Sequence, residues 1–289
     1  MPTQALAGKT VLVTGATAGI GLATARALAA RGADVIMVGR DRTRTEVATA
    51  LVAQARPGAV VTPLVADLTS MTAVRRLAGE VRARWTRLDV LVNNAGAIFG
   101  DRLLTPEGFE RTWALNHLSC LLLTVELLPL LKASAPSRIV HVCSMVHASA
   151  TLASQSHRDI QRFKGMQAYG QAKLAQLLCG YALARRLAGT GVTVNALHPG
   201  VVATDVAREM GPLFSFMQKT LLRPFSISAE RAAETSVYLA TSPEVEGVTG
   251  GYFVKSTQRS SSADSYDEAL QERIWSSSLA KLGLANATI

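Results

Sequence analysis

The stretch Thr14-Gly-Ala-Thr-Ala-Gly-Ile-Gly21 decides the fold of this chain. It follows an apolar run, Thr10–Thr14, that is typical of a buried strand, and it opens a segment of helical period, Gly19–Arg31. Glycines at such a turn let the backbone pass close to a pyrophosphate, whose charge the N-terminus of the helix stabilises. The Gly-x-x-x-Gly-x-Gly spacing differs from the usual Gly-x-Gly-x-x-Gly fingerprint, so the prediction rests on position at the first strand and first helix.

Strand-like apolar runs alternate with amphipathic segments along the rest of the chain, which is the pattern of parallel βαβ units. The predicted strands are Thr10–Thr14, Asp34–Val38, Val60–Val65, Leu88–Val92, Ser137–Cys143, Val192–Ala196 and Gly251–Val254. The predicted helices are Gly19–Arg31, Arg42–Arg56, Ser70–Arg84, Thr105–Lys132, Met166–Ala188, Ser228–Ala240 and, after a Ser-rich loop over Ser256–Ser265, Ser265–Leu282. This order predicts an α/β fold of Rossmann type, a doubly wound three-layer sandwich around a central parallel sheet of about seven strands.

Length and composition predict one globular domain. The chain has 289 residues, of which 48% are hydrophobic and 18% are charged, and this is enough for one α/β core. We therefore predict a single domain over residues 1–289. No apolar run approaches the roughly 18 residues that a membrane span needs, and Met1–Lys9 lacks the features of a signal peptide. The expected protein is cytoplasmic and has no membrane span.

The charges, cysteines and histidines argue against several kinds of partner. The Arg and Lys residues behind the net charge of +9 are scattered rather than gathered in a stripe with aromatic residues, so no nucleic acid is predicted. Cys120, Cys143 and Cys179 include no Cys-x-x-Cys pair, which indicates buried thiols rather than disulfides or a zinc site. The histidines lack metal spacing, so no metal is predicted. Each histidine is expected to be structural, and His147, close after Ser144, is the one with an alternative role in a substrate cleft.

The end of the second predicted strand discriminates between cofactors. It runs Met37-Val38-Gly39-Arg40-Asp41-Arg42, and a local arginine cluster continues to Arg44. A basic residue at this position suits the 2′-phosphate of NADP, whereas an acidic residue would bind the ribose hydroxyls of NAD. Arg40 therefore favours NADP, and we expect Asp41 to cap the helix that begins at Arg42. The alternative is that Arg40 is an ordinary solvated arginine.

Tyr169 and Lys173 form a pair that can move a proton. They stand four residues apart in a predicted helix and so share one of its faces. The Lys173 ammonium is expected to favour the phenolate and lower the pKa of Tyr169 from about 10 toward the neutral range. An isolated Tyr-x-x-x-Lys match would be a surface pair, so its weight depends on the other motifs.

Together the motifs resemble those of the short-chain dehydrogenase/reductase family, and the similarity covers nearly the whole chain. The matching elements are Thr14–Gly21, the pair Asp67-Leu68, the element Asn93-Asn94-Ala95-Gly96 and His198-Pro199-Gly200. Within the family the chain is similar to the retinol-dehydrogenase-like branch, through Gly39-Arg40-Asp41, a long interval between Ser144 and Tyr169, and the stretch from Ala182 to Leu187.

The resemblance implies four catalytic residues, Asn116, Ser144, Tyr169 and Lys173. Ser144 would donate a hydrogen bond to the substrate oxygen, and Tyr169 would pass it a proton as hydride arrives from the nicotinamide. Lys173 would hold the nicotinamide ribose, and Asn116 would anchor a water that links Lys173 to solvent. The cofactor-binding residues would be Gly15, Thr17, Ala18, Gly19, Ile20, Gly21, Arg40, Asp67, Leu68, Asn94, Ala95, Gly96, Tyr169, Lys173, Pro199, Gly200, Val202 and Thr204.

The expected activity is NADP(H)-dependent hydride transfer between the cofactor and a lipophilic aldehyde, ketone or alcohol. An apolar segment over residues 203–227 is expected to cover the substrate. The alternative wall of the cleft is Ala97–Leu104 together with Val146–Ser156, because both stretches leave the carboxyl ends of strands. The resemblance also implies a homodimer or homotetramer through the helices Thr105–Lys132 and Met166–Ala188. Two alternatives are a catalytically silent NADP-sensing regulatory or scaffold protein and a Rossmann methyltransferase, neither of which would need the Tyr169 and Lys173 pair.

Overall fold

The computed structural model describes residues 6–152, 163–200, 227–287 and 289. Within these ranges the strands are β1 (Thr10–Thr14), β2 (Asp34–Gly39), β3 (Val61–Val65), β4 (Val90–Asn93), β5 (Ser137–Val142), β6 (Val192–His198), β7 (Tyr252–Val254) and β8 (Thr257–Arg259). The helices are α1 (Gly19–Ala30), α2 (Arg42–Ala53), α3 (Met71–Arg84), α4 (Arg111–Trp113), α5 (Ser119–Ala133), α6 (Gly165–Arg186), α7 (Ala229–Thr241) and α8 (Glu268–Lys281). A π-helical turn, Ala114–Leu118, joins α4 to α5.

The sheet is doubly wound, as the sequence predicted. Its strand order is β3-β2-β1-β4-β5-β6-β7-β8, and the pairs from β3 through to β7 are parallel. The chain moves outward from β1 to β3 and then returns to place β4 on the other side of β1. The carboxyl ends of β1 and β4 therefore flank a topological switch point, which is where ligands of such sheets bind.

Two apolar layers cover the sheet and complete the predicted three-layer sandwich. On one face, α1, α2 and α7 bury residues such as Leu28, Val52 and Val237 against β1, β2 and β4. On the other face, α3, α5 and α6 bury residues such as Leu77 and Leu122. Strands enclosed on both faces need apolar residues at consecutive positions, which explains the near-continuous Val, Leu and Ile runs.

The sheet has eight strands within the described ranges rather than about seven. The extra strand, β8, pairs antiparallel with β7 at the edge of the sheet, inside the predicted Ser-rich loop. Lys255 and Ser256, which connect the two strands, have φ values of +50° and +57°. Two consecutive residues with positive φ form a tight hairpin turn, which the sequence Asn-Gly usually predicts. Here the turn residues are Lys-Ser, so the sequence did not predict the hairpin.

The predicted helix Thr105–Lys132 begins only at Arg111. The residues before it form a turn in which Thr105 N donates to Phe109 O at 2.7 Å. Glu110 then caps α4, because its carboxylate oxygens accept the backbone N–H groups of Thr112 at 2.7 Å and Trp113 at 2.8 Å. The helix starts at this cap rather than at the first residue of the apolar pattern.

The helical stretch Arg111–Ala133 is long and apolar enough, by length and composition, to cross a membrane, because its most apolar 18-residue window has a mean hydropathy of 1.6. Of the most apolar window, 78% is buried inside the structure. The sequence prediction concerned uninterrupted apolar runs and did not identify this helical stretch. Interspersed polar residues such as Asn116 and Glu126 conceal it from a search for uninterrupted apolar runs.

The C-terminal helix α8 covers part of α6. Leu270 and Ile274 of α8 pack against Leu174 and Leu178 of α6. Arg186 of α6 also forms an ion pair with Glu272. One face of the helix predicted to join subunits is thus occupied by this chain's own C-terminal helix.

Candidate active site

A cavity of about 550 Å³ lies at the carboxyl ends of the parallel strands, around the switch point. Most of the predicted site residues line it, namely Gly15, Thr17, Ala18, Gly19, Ile20, Gly21, Arg40, Asp67, Leu68, Asn94, Ala95, Gly96, Ser144, Tyr169, Lys173, Pro199 and Gly200. Asn116 lies outside this lining. Val202, Thr204 and all but the last residue of the predicted substrate-covering segment 203–227 lie outside the described residues.

The glycine turn after β1 is fixed against the end of β4. Gly15 has a φ of +64°, and a Cβ there would lie 2.9 Å from the Cα of Ala95. A Cβ on Gly21 would lie 2.3 Å from the carbonyl oxygen of Gly15. Asn94 Nδ2 donates to Thr14 O at 2.8 Å, so the turn and the strand end form one unit. Side chains at these glycines would fill the space that the turn requires.

Thr14 has a positioning role that the motif did not reveal. Its Oγ1 accepts the backbone N–H groups of Asn94 and Ala95, each at 3.0 Å. Thr14 is only 2% exposed, so its hydroxyl fixes the element that follows β4. Thr14 therefore aligns the glycine turn after β1 with the Asn94-Ala95 element after β4, two motifs that are distant in sequence.

The N-terminus of α1 fits an anionic group. Its N-cap residue, Ala18, makes no side-chain hydrogen bond to the first turn, and no acidic residue stands in that turn. Gly19 and Ile20, at this helix end, line the cavity. Uncapped N–H groups and the helix dipole favour a phosphate at such a position. Together with the glycine turn, they fit the pyrophosphate of a dinucleotide.

The arginine cluster after β2 divides between the cavity and the outer surface. Arg40 and Arg44 line the cavity, and Arg42 instead lies 3.7 Å from Glu46 on the exposed side of α2. Asp41 caps α2, as predicted, because its Oδ1 accepts Arg44 N at 2.8 Å. The chain therefore presents two cations at the end of the cavity nearest β2.

Ser144, Tyr169 and Lys173 come together at the carboxyl end of β5. The Ser144 side chain lies close enough to the Tyr169 phenol to lower its pKa. Lys173 Nζ lies 5.7 Å from the centroid of the Tyr169 ring, one turn along α6. Tyr169 is 8% exposed and Lys173 is 2% exposed. The predicted pair is therefore a buried one and not a surface pair.

Asn116 supports the neighbouring backbone from behind the cavity wall. Its Nδ2 donates to Ala97 O and Thr112 O at 2.9 Å, and its Oδ1 accepts Ala97 N at 3.2 Å. A Cβ on Gly96 would lie 2.7 Å from Asn116 Oδ1 and 3.4 Å from Lys173 Nζ. The structure thus places Asn116 beside Lys173, in the π-helical turn rather than in a regular helix.

The pKa of Tyr169 differs from the expectation. Burial raises the pKa of the phenol above its ordinary value, the neighbouring Cys143 adds to this, and the hydrogen bond with Ser144 offsets only part of the rise. Burial also lowers the pKa of Lys173. The prediction that the pKa of Tyr169 falls toward the neutral range is therefore wrong for this structure, in which burial raises that pKa. A protonated phenol is suited to act as a general acid.

His147 is placed for structure rather than chemistry. Its Nδ1 contacts Ser144 O at 2.6 Å, and its Nε2 accepts the backbone N–H of Ser262 at 3.2 Å. Both ring nitrogens are thus occupied by backbone groups, and His147 is not among the residues that line the cavity. This placement agrees with the structural role expected for the histidines rather than with the alternative of His147 as a cleft residue. His198, which the sequence suggested to be structural, does line the cavity and accepts Met145 N at 3.3 Å through Nδ1.

The wall beside Ser144 and Tyr169 is apolar, and part of it falls in the two stretches, Ala97–Leu104 and Val146–Ser156, that the sequence offered as an alternative wall. It consists of Ile98, Phe99, Leu115, Met145, Val146 and Met166. Met145 is 56% exposed and Met166 is 41% exposed, although both lie beside a cavity. Large exposed apolar side chains at a cleft are suited to an apolar ligand. Their position in loops and at a helix start gives no periodic signal in the sequence.

Comparison with known proteins agrees with this geometry. The chain matches the family model described as short chain dehydrogenase over residues 9–212. Retinol dehydrogenase 13 of Mus musculus is 40% identical over 289 residues, covering 97% of this chain and 85% of the relative. A solved structure of a protein from Mycobacterium paratuberculosis is similar with a TM-score of 0.77 and 30% identity, covering 97% of both chains. The Pseudomonas aeruginosa RhlG/NADP active-site complex has a TM-score of 0.70 and 28% identity, covering 88% of this chain and 96% of that chain.

The chain belongs to the short-chain dehydrogenase family and is an oxidoreductase of that type. Its similarity to retinol dehydrogenases places it in the retinol-dehydrogenase-like branch. Both assignments confirm what the sequence motifs indicated. Among the described residues, no group of three or more His, Cys, Asp or Glu side chains could hold a metal ion.

Proposed function

We propose that this chain is an NADP(H)-dependent oxidoreductase that transfers hydride between the cofactor and a lipophilic aldehyde or ketone, or the corresponding alcohol. The observation that carries the proposal is the meeting of Ser144, Tyr169 and Lys173 in one cavity with the glycine turn. Such a cavity combines a proton-transfer site with a phosphate-binding site.

The side chains of the site carry out the proton transfer. When bound, the nicotinamide supplies or accepts the hydride. In the reducing direction, the Tyr169 phenol gives its proton to the carbonyl oxygen, and Ser144 donates a hydrogen bond to the same oxygen. The carbonyl carbon gains the hydride and the oxygen gains the proton, which yields an alcohol and leaves a phenolate. The Lys173 ammonium stabilises that phenolate because opposite charges lie on one helix face.

Two cations support the choice of NADP. Arg40 and Arg44 line the cavity at the end of β2, where the adenosine ribose lies in folds of this type. Asp41, which stands between Arg40 and Arg44 in the sequence, caps α2 through its carboxylate and does not line the cavity. The solved RhlG structure that resembles this chain is an NADP complex.

The apolar wall supports a lipophilic substrate. Met145 and Met166 flank Ser144 and Tyr169, and unbranched Met side chains adapt to ligands of varied shape. The name retinol dehydrogenase describes a relative that acts on a long apolar alcohol. A catalytically silent sensor, by contrast, would have no use for a complete Ser144, Tyr169 and Lys173 set, so we do not favour it.

The predictions of a cytoplasmic location and of a homodimer or homotetramer are part of the same proposal. Helix α8 already covers Leu174 and Leu178 of α6, so a subunit contact would have to use other surfaces of the two long helices. The mass of the protein measured by light scattering decides the oligomeric state.

Cofactor and substrate screens test the function. We expect NADPH fluorescence to change on binding, and NADPH oxidation to follow with one or more of retinal, medium-chain aldehydes and steroid ketones. NADP⁺ with the matching alcohol should give the reverse reaction. Absence of dinucleotide binding would refute the proposal, and binding without turnover across both panels would favour the silent sensor.

A further inference from the structure

The Lys173 ammonium is held from behind by two buried acceptors. Its Nζ donates to Val142 O at 2.9 Å and to Gln176 Oε1 at 3.0 Å. Gln176 follows Lys173 by three residues on α6, a spacing that brings side chains together on one helix face. Gln176 is only 3% exposed, so water cannot readily replace its oxygen. No motif in the sequence assigns this glutamine a role.

A series of hydrogen bonds fixes which end of the Gln176 amide faces the lysine. An ammonium only donates, so Gln176 presents Oε1 to it and turns Nε2 to Cys120 Sγ, 3.4 Å away. The thiol then donates to His141 Nδ1 at 3.2 Å. Asn93 Nδ2 also donates to His141 Nδ1, at 3.3 Å, so that nitrogen serves as the acceptor. The amide is therefore oriented by groups on α5, β4 and β5 in the protein core.

The titratable groups around Lys173 offer it no negative charge at neutral pH. They are Tyr169 on α6, Cys120 on α5, His141 on β5 and Cys143 directly after β5. Burial raises the pKa of Tyr169, of Cys143 and of Cys120, the last to about 12, and lowers the pKa of His141 to about 4. All four are thus neutral at pH 7 in the resting protein. Among the described residues, the oxygens of Gln176 and Val142 are the hydrogen-bond acceptors of its charge.

We propose that Gln176 is a positioning residue for the reaction, which keeps the buried Lys173 ammonium charged and directs its remaining N–H toward the cleft. Two of the three ammonium donors point at Val142 O and Gln176 Oε1, and Nζ also lies beside Gly96 on the cavity wall. The amide stabilises the charge without neutralising it, so Lys173 can still stabilise a phenolate at Tyr169. This inference rests on the proposed function.

The test compares Gln176→Met, which removes the acceptor at similar volume, with Gln176→Glu, which adds a charge. Gln271→Met is the matched control, because Gln271 is 2% exposed on α8, donates to Ser265 O at 2.7 Å and lies outside the cavity. The pKa of Lys173 is measured in the cofactor-free protein by NMR of the lysine ¹³Cε. The Lys173 signal is assigned as the one that is missing from the spectrum of Lys173→Arg. Gln176→Met should lower that pKa by about one to two units. Gln176→Glu should raise it, and Gln271→Met should leave it unchanged.

The pH profile of turnover provides a second measurement. The limb of the kcat profile that reports loss of the Lys173 proton should move to lower pH in Gln176→Met and to higher pH in Gln176→Glu. If Gln176 had a purely structural role, the two variants would not move this limb in opposite directions. If Gln176→Met fails to fold by circular dichroism, the rise expected in Gln176→Glu decides alone.

An unchanged pKa of Lys173 in Gln176→Met, or equal shifts in Gln176→Met and Gln271→Met, would overturn the inference. The ¹³Cε titration needs no substrate or cofactor. A wild-type protein that fails to turn over any carbonyl compound would therefore refute the proposed function while leaving the role of Gln176 to be decided by the titration.

Discussion

The carboxylate of Asp41 accepts the backbone N–H of Arg44 at 2.8 Å, so the acid at the end of β2 is committed to capping α2. The same bond fixes the first turn of α2, from which the Arg44 side chain reaches the cavity beside Arg40. A capping acid and two cavity-lining arginines thus arise from five consecutive residues. The arrangement leads to a prediction about cofactor choice.

Arg40→Ala and Arg44→Ala should each weaken NADPH binding and leave NADH binding almost unaffected. The lost contact is a charge-assisted hydrogen bond to a phosphate, so we expect the dissociation constant for NADPH to rise by about ten- to a hundredfold. Titration by nicotinamide fluorescence measures both cofactors. Arg42→Ala is the matched control, because Arg42 faces Glu46 outside the cavity. Equal losses for NADPH and NADH, or a wild-type preference for NADH, would contradict the assignment.

Tyr169→Phe should abolish most turnover while cofactor binding persists. The change removes only the hydroxyl that gives the proton, and lost acid catalysis costs a factor of roughly 10² to 10⁴. Tyr181→Phe is the control, since Tyr181 lies on the same helix and its hydroxyl contacts Ser261 Oγ at 2.8 Å outside the cavity. Steady-state kinetics with the best substrate measure both variants. Near-normal turnover in Tyr169→Phe would exclude the phenol as the acid.

Features that depend on local chemistry could be predicted from the sequence. The glycine turn follows from backbone conformation, the cap at Asp41 from helix capping, and the strands from apolar periodicity. Each of these depends on a few neighbouring residues. Their order along the chain then fixed the switch point. The site residues Ser144, Tyr169 and Lys173 could be placed because each stands at the end of a strand or on one helix face.

Features that depend on burial could not be predicted. Burial raises the pKa of Tyr169, and burial depends on segments that lie far apart in the sequence. The support of Lys173 by Gln176 requires the positions of Cys120 and His141, which lie on other elements. The cover of α6 by α8 likewise appears only once both helices are placed. Such contacts join residues far apart in sequence and leave no periodic pattern.

Gly21→Ala should disrupt the cofactor site. A Cβ at this position would lie 2.3 Å from Gly15 O and 2.4 Å from Asn94 Nδ2, so the turn must move. We expect a loss of about 1–3 kcal/mol in the free energy of unfolding, as for overpacked cores, and a large loss of dinucleotide affinity. Gly79→Ala is the control, because a Cβ at Gly79 in α3 meets no atom within 4 Å. That variant should be neutral or stabilising by up to about 1 kcal/mol. Equal behaviour of the two variants in urea unfolding would refute the tight turn.

Acid should destabilise the protein through its buried histidines. Burial lowers the pKa of His117 to about 3, and those of His141 and His198 to about 4. In the unfolded chain these groups titrate near pH 6.5. Above that pH both states are neutral and the free energy of unfolding is constant with respect to them. Below pH 6.5 the histidines bind protons in the unfolded state but not in the folded state. The free energy of unfolding therefore falls by up to about 1.4 kcal/mol per pH unit for each histidine.

His117→Gln isolates one of these contributions. His117 is 1% exposed and its Nε2 contacts Ser278 Oγ at 2.8 Å, a bond that the Gln amide can replace in part. We expect lower stability at pH 7.5 than in the wild type, but a shallower fall between pH 6.5 and pH 5. Urea unfolding followed by tryptophan fluorescence at several pH values measures the slope. The window excludes the carboxylates, because Glu107, whose folded pKa is lowered to about 2, begins to contribute only as pH approaches its unfolded value near 4.3. Parallel slopes for the variant and the wild type across this window would show that His117 does not titrate on unfolding.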